Sequence, residues 1–224
     1  IINIVDQTIA SKDFEGNNFN IGLERQTANM GTAGSFSYKG NIDGLNLTYA
    51  LKEVNFESYE VPLGAIIHEG SPEAKTTLEN SDLATFSHIF GLSVIENWGY
   101  FGFSLGKIEN SYGIAFHGEE EEEHGGEHGE EEEERIQADT ESENVTIEGA
   151  VTNLNGLDKL SYFLQVNDYS FTEGHVEEPG HVEKPGEEEH EPTTFTNESL
   201  EFGMKLDIGN QTGGNRQNVT INAS

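Results

Sequence analysis

Seven of the eight histidines in this 224-residue chain lie in three polar segments that also contain glutamate. Imidazole and carboxylate groups together form sites for Zn²⁺ and similar divalent metals, whereas carboxylates alone favour Ca²⁺ or Mg²⁺. The pattern therefore predicts capture of a divalent metal, with zinc as the first candidate, and no tightly bound cofactor. The predicted ligands are His68, His117, His124, Glu127, His128, His175, His181 and His190.

Two of these segments carry most of the negative charge. Residues 117–134, the Glu-rich loop, contain eleven Glu and no Lys or Arg, and residues 173–191 contain eight Glu and one Lys. Their charges of −11 and −7 make up −18 of the formal net −31. With so little apolar surface to bury, both segments are predicted to be solvated loops. Their Glu runs either support a metal site or form only a solvated surface that attracts cations.

Composition and motifs argue against several other functions. The 42 Asp and Glu against 11 Lys and Arg argue against nucleic-acid binding, which needs clustered cations. Because the chain has no Cys, disulfides and thiolate chemistry are excluded. The sequence has neither a phosphate-binding glycine loop nor a nucleophile motif, so an enzyme is not expected. The apolar start, Ile1–Val5, is typical of a piece cut from a longer protein.

Apolar and polar residues alternate with period two over long stretches, such as Leu160–Val166 and Leu200–Ile208. Strict alternation of this kind indicates strands with one apolar and one polar face. Turn-forming residues separate the alternating stretches. Nine strands are predicted, near residues 17–28, 32–41, 44–60, 80–96, 99–115, 136–153, 158–171, 193–209 and 215–223.

Strand length and loop placement point to a membrane. Soluble strands usually have about 5–6 residues, and a tilted membrane-spanning strand needs about 9–11. In an up-and-down meander, the long connections near 61–79, 117–135 and 172–192 all fall on one side, as in outer-membrane barrels. The predicted fold is all-β, an antiparallel meander forming part of a transmembrane β-barrel. Nine strands would leave open edges in lipid, so the barrel must be larger.

The strand faces and the aromatic residues follow from this prediction. In Leu200–Ile208 the apolar side chains are expected to face lipid, and Glu201, Lys205 and Asp207 the lumen. His88 is predicted to be a lumen-facing or interfacial strand residue, not a metal ligand. An aromatic girdle is expected beside the membrane surface. Its predicted members are Trp98, Tyr100, Phe101 and Phe103.

In its pattern of strands and loops, most of the chain resembles the TonB-dependent outer-membrane receptors, particularly the zinc-uptake branch with His-rich extracellular loops, and a few short motifs are also similar. Ile2–Asp6 is similar to the last strand of that family's plug domain. Gly99–Leu105 followed by Asn110–Ile114 is similar to a barrel strand that runs into the metal-binding loop. In the position of that loop stand His117, His124 and His128.

The resemblance implies a receptor fragment in the bacterial outer membrane. Residues 1–12 would end the plug, and residues 13–224 would form the N-terminal part of the barrel, with the acidic loops extracellular. The implied partners are the metal ion or metal complex, the TonB energy-coupling system and the lipid bilayer. The alternative function is a soluble secreted or cell-surface β-sandwich, adhesin-like, that binds Ca²⁺ through its Glu-rich loops.

Overall fold

The structure is a computed structural model that describes residues 8–68, 71–115, 135–154, 157–176, 191–209 and 216–223. Within these ranges the chain is all-β, with nine long strands and four strands of two residues each. The strands are β1 (Asn17–Arg25), β2 (Thr32–Ile42), β3 (Leu45–Phe56), β4 (Tyr59–Glu60), β5 (Ile67–His68), β6 (Ser71–Pro72), β7 (Thr77–Leu78), β8 (Leu83–Glu96), β9 (Gly99–Gly113), β10 (Arg135–Leu154), β11 (Leu157–Val176), β12 (Thr193–Gly209) and β13 (Arg216–Ala223).

The nine long strands form one sheet in the order β1-β2-β3-β8-β9-β10-β11-β12-β13. Every neighbouring pair is antiparallel, which confirms the predicted meander. Because consecutive strands reverse direction, the connections alternate between the two ends of the sheet. One end, the turn end, has the tight connections after β2 and β8. The opposite end, the loop end, has the connections after β1, β3, β9 and β11. The described residues contain no helix long and apolar enough to cross a membrane.

Several predicted strand boundaries differ from the structure, and the two largest differences are in β3 and β11. The strand predicted for residues 44–60 ends at Phe56, because Glu57 and Glu60 turn away and donate backbone hydrogen bonds to the β1–β2 connection. The strand predicted for 158–171 continues to Val176, which pairs with Arg135 on β10. Between β3 and β8, the predicted long loop folds into two short ladders, β4–β7 and β5–β6.

The pairing register sorts the side chains of the long strands into two faces. Residues opposite each other in a ladder share a face, and successive residues alternate between faces. Face A is defined by the row that runs Tyr49, Phe90, Leu105, Val145, Val166 and Leu200. Face B is its opposite and includes Ala50, Ile89, Gly106, Asn144, Asn167 and Ser199.

The two faces differ in which side chains they bury. Large apolar side chains on face A are widely exposed, including Ile21 at 76% and Leu200 at 59%. Apart from glycines, every described strand residue that is buried lies on face B. Half of these buried strand residues are polar. The set is Asn46, Thr48, Val54, Ser93, Ser104, Ile136, Ala138 and Ala150.

Candidate functional site

Most of the predicted metal ligands lie outside the described residues. These are His117, His124, Glu127, His128, His181 and His190. Of the other two, His68 is paired in register with Ser71 in the β5–β6 ladder. His175 lies half-buried on face B near the loop end of β11, opposite Ile136. Across the described ranges, no three His, Cys, Asp or Glu side chains are grouped as a metal site would require.

Three polar side chains clamp the strand ends that carry the Glu-rich loop. The Asn80 Nδ2 group donates to the carbonyls of Ile114 and Ile136 at 2.6 and 2.7 Å. Arg135 donates from Nε to Asn80 Oδ1 at 3.1 Å, and its Nη2 lies 2.5 Å from Asp82 Oδ2. Because the Ile114 amide also donates to the Ile136 carbonyl, at 3.0 Å, both ends of the loop are held close together.

Sequence reasoning missed this clamp. Asn80 is 34 residues from Ile114 and 56 from Ile136, so no local pattern connects them. One feature of the sequence could have pointed to it, namely the polar run Asn80-Ser81-Asp82. Asn readily adopts the left-handed backbone conformation, and Asn80 does so here, with φ 54°. We define Asn80, Asp82 and Arg135 as the loop clamp.

Face A changes character abruptly between two neighbouring register rows. From β8 to β12, one row is wholly apolar, and it begins the apolar band that extends to the turn end. The next row towards the loop end is wholly ionisable. The apolar row is Phe90, Leu105, Val145, Val166 and Leu200, and the ionisable row is His88, Lys107, Glu143, Asp168 and Glu198. This change takes place within two residues, or about 7 Å along a strand.

Carboxylates dominate face A beyond that boundary. We define this carboxylate belt as Glu53, Glu109, Asp139, Glu141, Glu143, Asp168 and Glu198. An open depression of about 520 Å³ lies at the belt and is lined in part by Glu53, Glu109 and Glu141.

Lys107 is the cation at the centre of this belt. Its Nζ is 2.9 Å from Glu109 and 3.2 Å from Glu143, and it also pairs with Glu141. The carboxylate of Glu141, followed by those of Glu109 and Glu143, raises the pKa of Lys107 above its ordinary value. Lys107 therefore stays charged and offsets the repulsion among three carboxylates on β9 and β10.

The segment before β1 lies against face B near the turn end. Thr8, Ile9 and Ala10 are buried there. Asp13 Oδ1 accepts hydrogen bonds from Asn41 and Asn46, at 3.0 and 2.9 Å. The Phe14 amide donates to Asn46 Oδ1 at 2.9 Å.

Two glycines make this approach possible. A Cβ at Gly91 would overlap the carbonyl oxygen of Thr8, and one at Gly102 would overlap the side chain of Ile9. Both glycines lie on face B, on the neighbouring strands β8 and β9. Strand glycines often mark such close approach by another segment.

Tyr100, one of the four residues predicted to form the aromatic girdle, lies on the opposite face of the sheet from Phe101 and Phe103. Phe101 and Phe103 lie on face A, and Trp98 is exposed in the turn. Tyr100 lies on face B, where its hydroxyl donates to Glu148 Oε1 at 3.3 Å. Adjacent strand residues point to opposite faces, so Tyr100 does not share the outward face of Phe101.

His88 lies on face A at the edge of the apolar band. Its ring is 5.6 Å from the ring of Phe86, in an edge-to-face arrangement. His88 therefore does not share the face of Glu201, Lys205 and Asp207, which was predicted to be the lumen side. The interfacial alternative for His88 stays a prediction.

No known protein-family model matches the chain, and the search of curated proteins gives no match.

Proposed function

We propose that this chain forms part of the wall of an outer-membrane β-barrel that captures a divalent metal ion or metal complex. The observation that carries the proposal is the broad exposure of large apolar side chains on face A, while four of the eight buried strand residues on face B, glycines apart, are polar. In water an exposed apolar face of this size would favour aggregation, whereas in a bilayer it contacts lipid. Face A is then the lipid face, and face B the lumen.

The dimensions of the apolar band support this placement. On β12 the band extends from Leu200 to Ile208, roughly 27 Å at about 3.4 Å per residue. At a strand tilt of about 40° this covers roughly 21 Å of membrane thickness, close to the band of about 25 Å in known barrels. The boundary between Leu200 and Glu198 then marks the outer edge of the hydrocarbon region.

Fluorescence quenching by brominated lipids tests the placement of the two faces. Trp98 is the single tryptophan, so Trp98→Phe provides a silent background. In that background, Phe101→Trp places an indole on face A and Tyr100→Trp places one on face B. In vesicles, we expect strong quenching of the first and weak quenching of the second. Equal quenching, or none for either, would contradict a lipid-facing face A.

We place the proposed metal capture at the loop end of the sheet. The histidine-bearing segments enter and leave the sheet there, and the loop clamp holds the two ends of the Glu-rich loop together. The carboxylate belt lies on the same part of the strands and would concentrate cations near the loops. His117, His124 and His128, with Glu127 or a neighbour, are the proposed zinc ligands, and His68, His175, His181 and His190 are further candidates.

Calorimetry with Zn²⁺ and Ca²⁺ tests the capture proposal. Neutral imidazole binds the metal, so zinc affinity is expected to fall between pH 7.5 and 5.5, across an unperturbed pKa of about 6.5. A His117→Ala/His124→Ala/His128→Ala variant is expected to lose the zinc site. If the variant binds zinc as well as the parent, the loop is only an acidic surface. Calcium binding that persists at pH 5.5 would favour the carboxylate-only alternative.

The receptor assignment rests on the resemblance together with the inner position of the N-terminal segment. A TonB-dependent receptor carries its plug inside the barrel, and residues 8–14 lie on the proposed lumen face. Coupling to a TonB system follows from this assignment. Zinc uptake by cells carrying the full-length protein, with and without a functional TonB system, tests it. Uptake that does not depend on TonB would overturn the receptor assignment.

A further inference from the structure

Face B carries a charge-free region at the level where face A is most highly charged. From β8 to β12, three consecutive register rows of face B contain no Asp, Glu, Lys, Arg or His. We call this region the uncharged belt. Its rows are Ile89, Gly106, Asn144, Asn167 and Ser199, then Ser87, Ile108, Ser142, Tyr169 and Asn197, then Thr85, Asn110, Thr140, Phe171 and Phe195.

Charge separation across this part of the sheet follows the alternation of each strand. Lys107, Glu109, Glu141 and Glu143 lie between the residues of the uncharged belt along β9 and β10, but all four face the other side. Although the chain has a net charge of −31, charged side chains are thus confined to face A over these three rows from β8 to β12. On the neighbouring strand β3, Lys52 lies on face B opposite Ser87 and borders the uncharged belt.

The side chains of the uncharged belt combine aromatic rings with amides and hydroxyls. Phe195 is 61% exposed and Tyr169 is 39% exposed. The ring centroids of Phe171 and Phe195 are 6.2 Å apart. Beside them, Gln165 Nε2 donates to Asn167 Oδ1 at 2.9 Å, and Asn167 Nδ2 donates to Ser199 Oγ at 3.2 Å. Amides and hydroxyls offer both donors and acceptors, so this series of hydrogen bonds can continue to the polar groups of a bound ligand.

These features match the chemistry of a neutral sugar. Within the belt, a charged ligand would lose hydration without meeting an opposite charge. The charges of face B nearest to the belt lie at its border, on Lys52, Glu173 and Glu201. A sugar ring instead presents hydroxyls around its edge and an apolar C–H face that can lie on an aromatic ring. We propose that the uncharged belt binds a neutral, hydroxyl-rich molecule of the oligosaccharide class. The inference rests on the membrane placement proposed above, but not on metal capture.

Binding of hexasaccharides to the full chain in detergent micelles tests the inference. The probes are the neutral maltohexaose, cellohexaose and chitohexaose, with hexagalacturonate and hexaglucosamine as anionic and cationic controls. Saturation-transfer NMR is expected to show binding of at least one neutral probe and of neither charged probe. Failure of all three neutral probes, or equal binding of a charged one, would overturn the proposal.

Adjacent residues on opposite faces provide matched variants. Asn167→Asp places a charge in the uncharged belt, and Asp168→Asn removes one from the carboxylate belt. We expect the first to weaken binding of the neutral probe and the second to leave it unchanged. Tyr169→Ala/Phe195→Ala is expected to weaken binding about 10-fold, whereas Phe202→Ala on face A is expected to have no effect. Circular dichroism checks that each variant folds.

Zinc calorimetry on the same variants separates this inference from the proposed function. Asn167→Asp and Tyr169→Ala/Phe195→Ala are expected to retain the zinc affinity of the parent. If sugar binding is lost while zinc binding persists, the two sites are distinct, as proposed. If the variants retain sugar binding, the uncharged belt is not the sugar site, whatever the outcome for zinc.

Discussion

The half of the sheet near the turn end (the turn half) and the half near the loop end (the loop half) consist of the same alternating strands. They differ in which face carries the polar and charged side chains. In the turn half, face A is apolar, and face B carries polar groups under residues 8–14. In the loop half, from β8 to β12, carboxylates and Lys107 occupy face A beyond the apolar band, and the uncharged belt occupies face B. Period-two alternation therefore fixes only that the two faces differ. The residue types in each half determine which of its two faces is apolar, polar or charged.

The largest effect is expected from charging the apolar band of the turn half. In the proposed membrane placement, Met204 lies near the midplane, and Met204→Arg should cost about 2–4 kcal/mol because the guanidinium would enter the hydrocarbon region. Lys205→Arg, at the next residue and on face B, should cost little. Equilibrium unfolding of the full barrel from lipid vesicles measures both. Equal losses would show that the two faces are wrongly assigned.

A side chain added beneath residues 8–14 is expected to have the next largest effect. Gly91→Val should cost about 1–3 kcal/mol, because the new side chain overlaps Thr8 and forces the segment away from face B. Gly34→Val is the control, since no atom lies within 4 Å of a Cβ at that position. Hydrogen exchange at Ile9 and Ala10 should rise in the first variant alone. Unchanged exchange would mean that the segment does not depend on the glycine.

Substitutions of Asn80 test how much the loop clamp stabilises the loop half of the sheet. Asn80→Gly keeps the left-handed backbone but removes three side-chain hydrogen bonds, two donated by Asn80 and one accepted from Arg135, at about 1 kcal/mol each. Asn80→Ala should cost about 1 kcal/mol more, because alanine is strained at positive φ. The measurements are the free energy of unfolding and hydrogen exchange at Ile114. If only Asn80→Ala is destabilised, backbone conformation matters there and the hydrogen bonds do not.

The smallest effect is expected at Lys107, which is partly exposed. Lys107→Met leaves Glu109, Glu141 and Glu143 without their cation, so stability should fall at low salt and recover as salt screens the repulsion. Because the pKa of Lys107 is raised on folding, its contribution is fully present below the unfolded pKa of about 10.4. It is lost as pH rises through the higher folded value.

Thermal unfolding at two salt concentrations, and between pH 8 and 11, measures this effect. Lys75→Met is the control, because Lys75 forms an exposed pair with Glu79 at 3.1 Å. The parent and Lys75→Met should share the alkaline loss of stability, and Lys107→Met should lack part of it. The same salt response in both variants would remove any special role for the carboxylate belt.

Sequence by itself determined the strands and the side on which each long connection lies. Alternation in Leu160–Val166 and Leu200–Ile208 was enough, because side chains in a strand alternate strictly between its faces. The predicted strands and the antiparallel meander are confirmed, with boundaries shifted by a few residues. For the metal site, six of the eight predicted ligands lie outside the described residues, so that part stays a prediction.

Tertiary structure alone decided how the strands combine. Lys107 meets Glu141 only because β9 and β10 pair in one register, and a slip of one residue would put them on opposite faces. The loop clamp joins residues up to 56 positions apart, and residues 8–14 reach face B through Asn46. The sharp boundary of face A also depends on five strands in register. No single strand encodes these contacts, because each one depends on the residue that pairing places opposite.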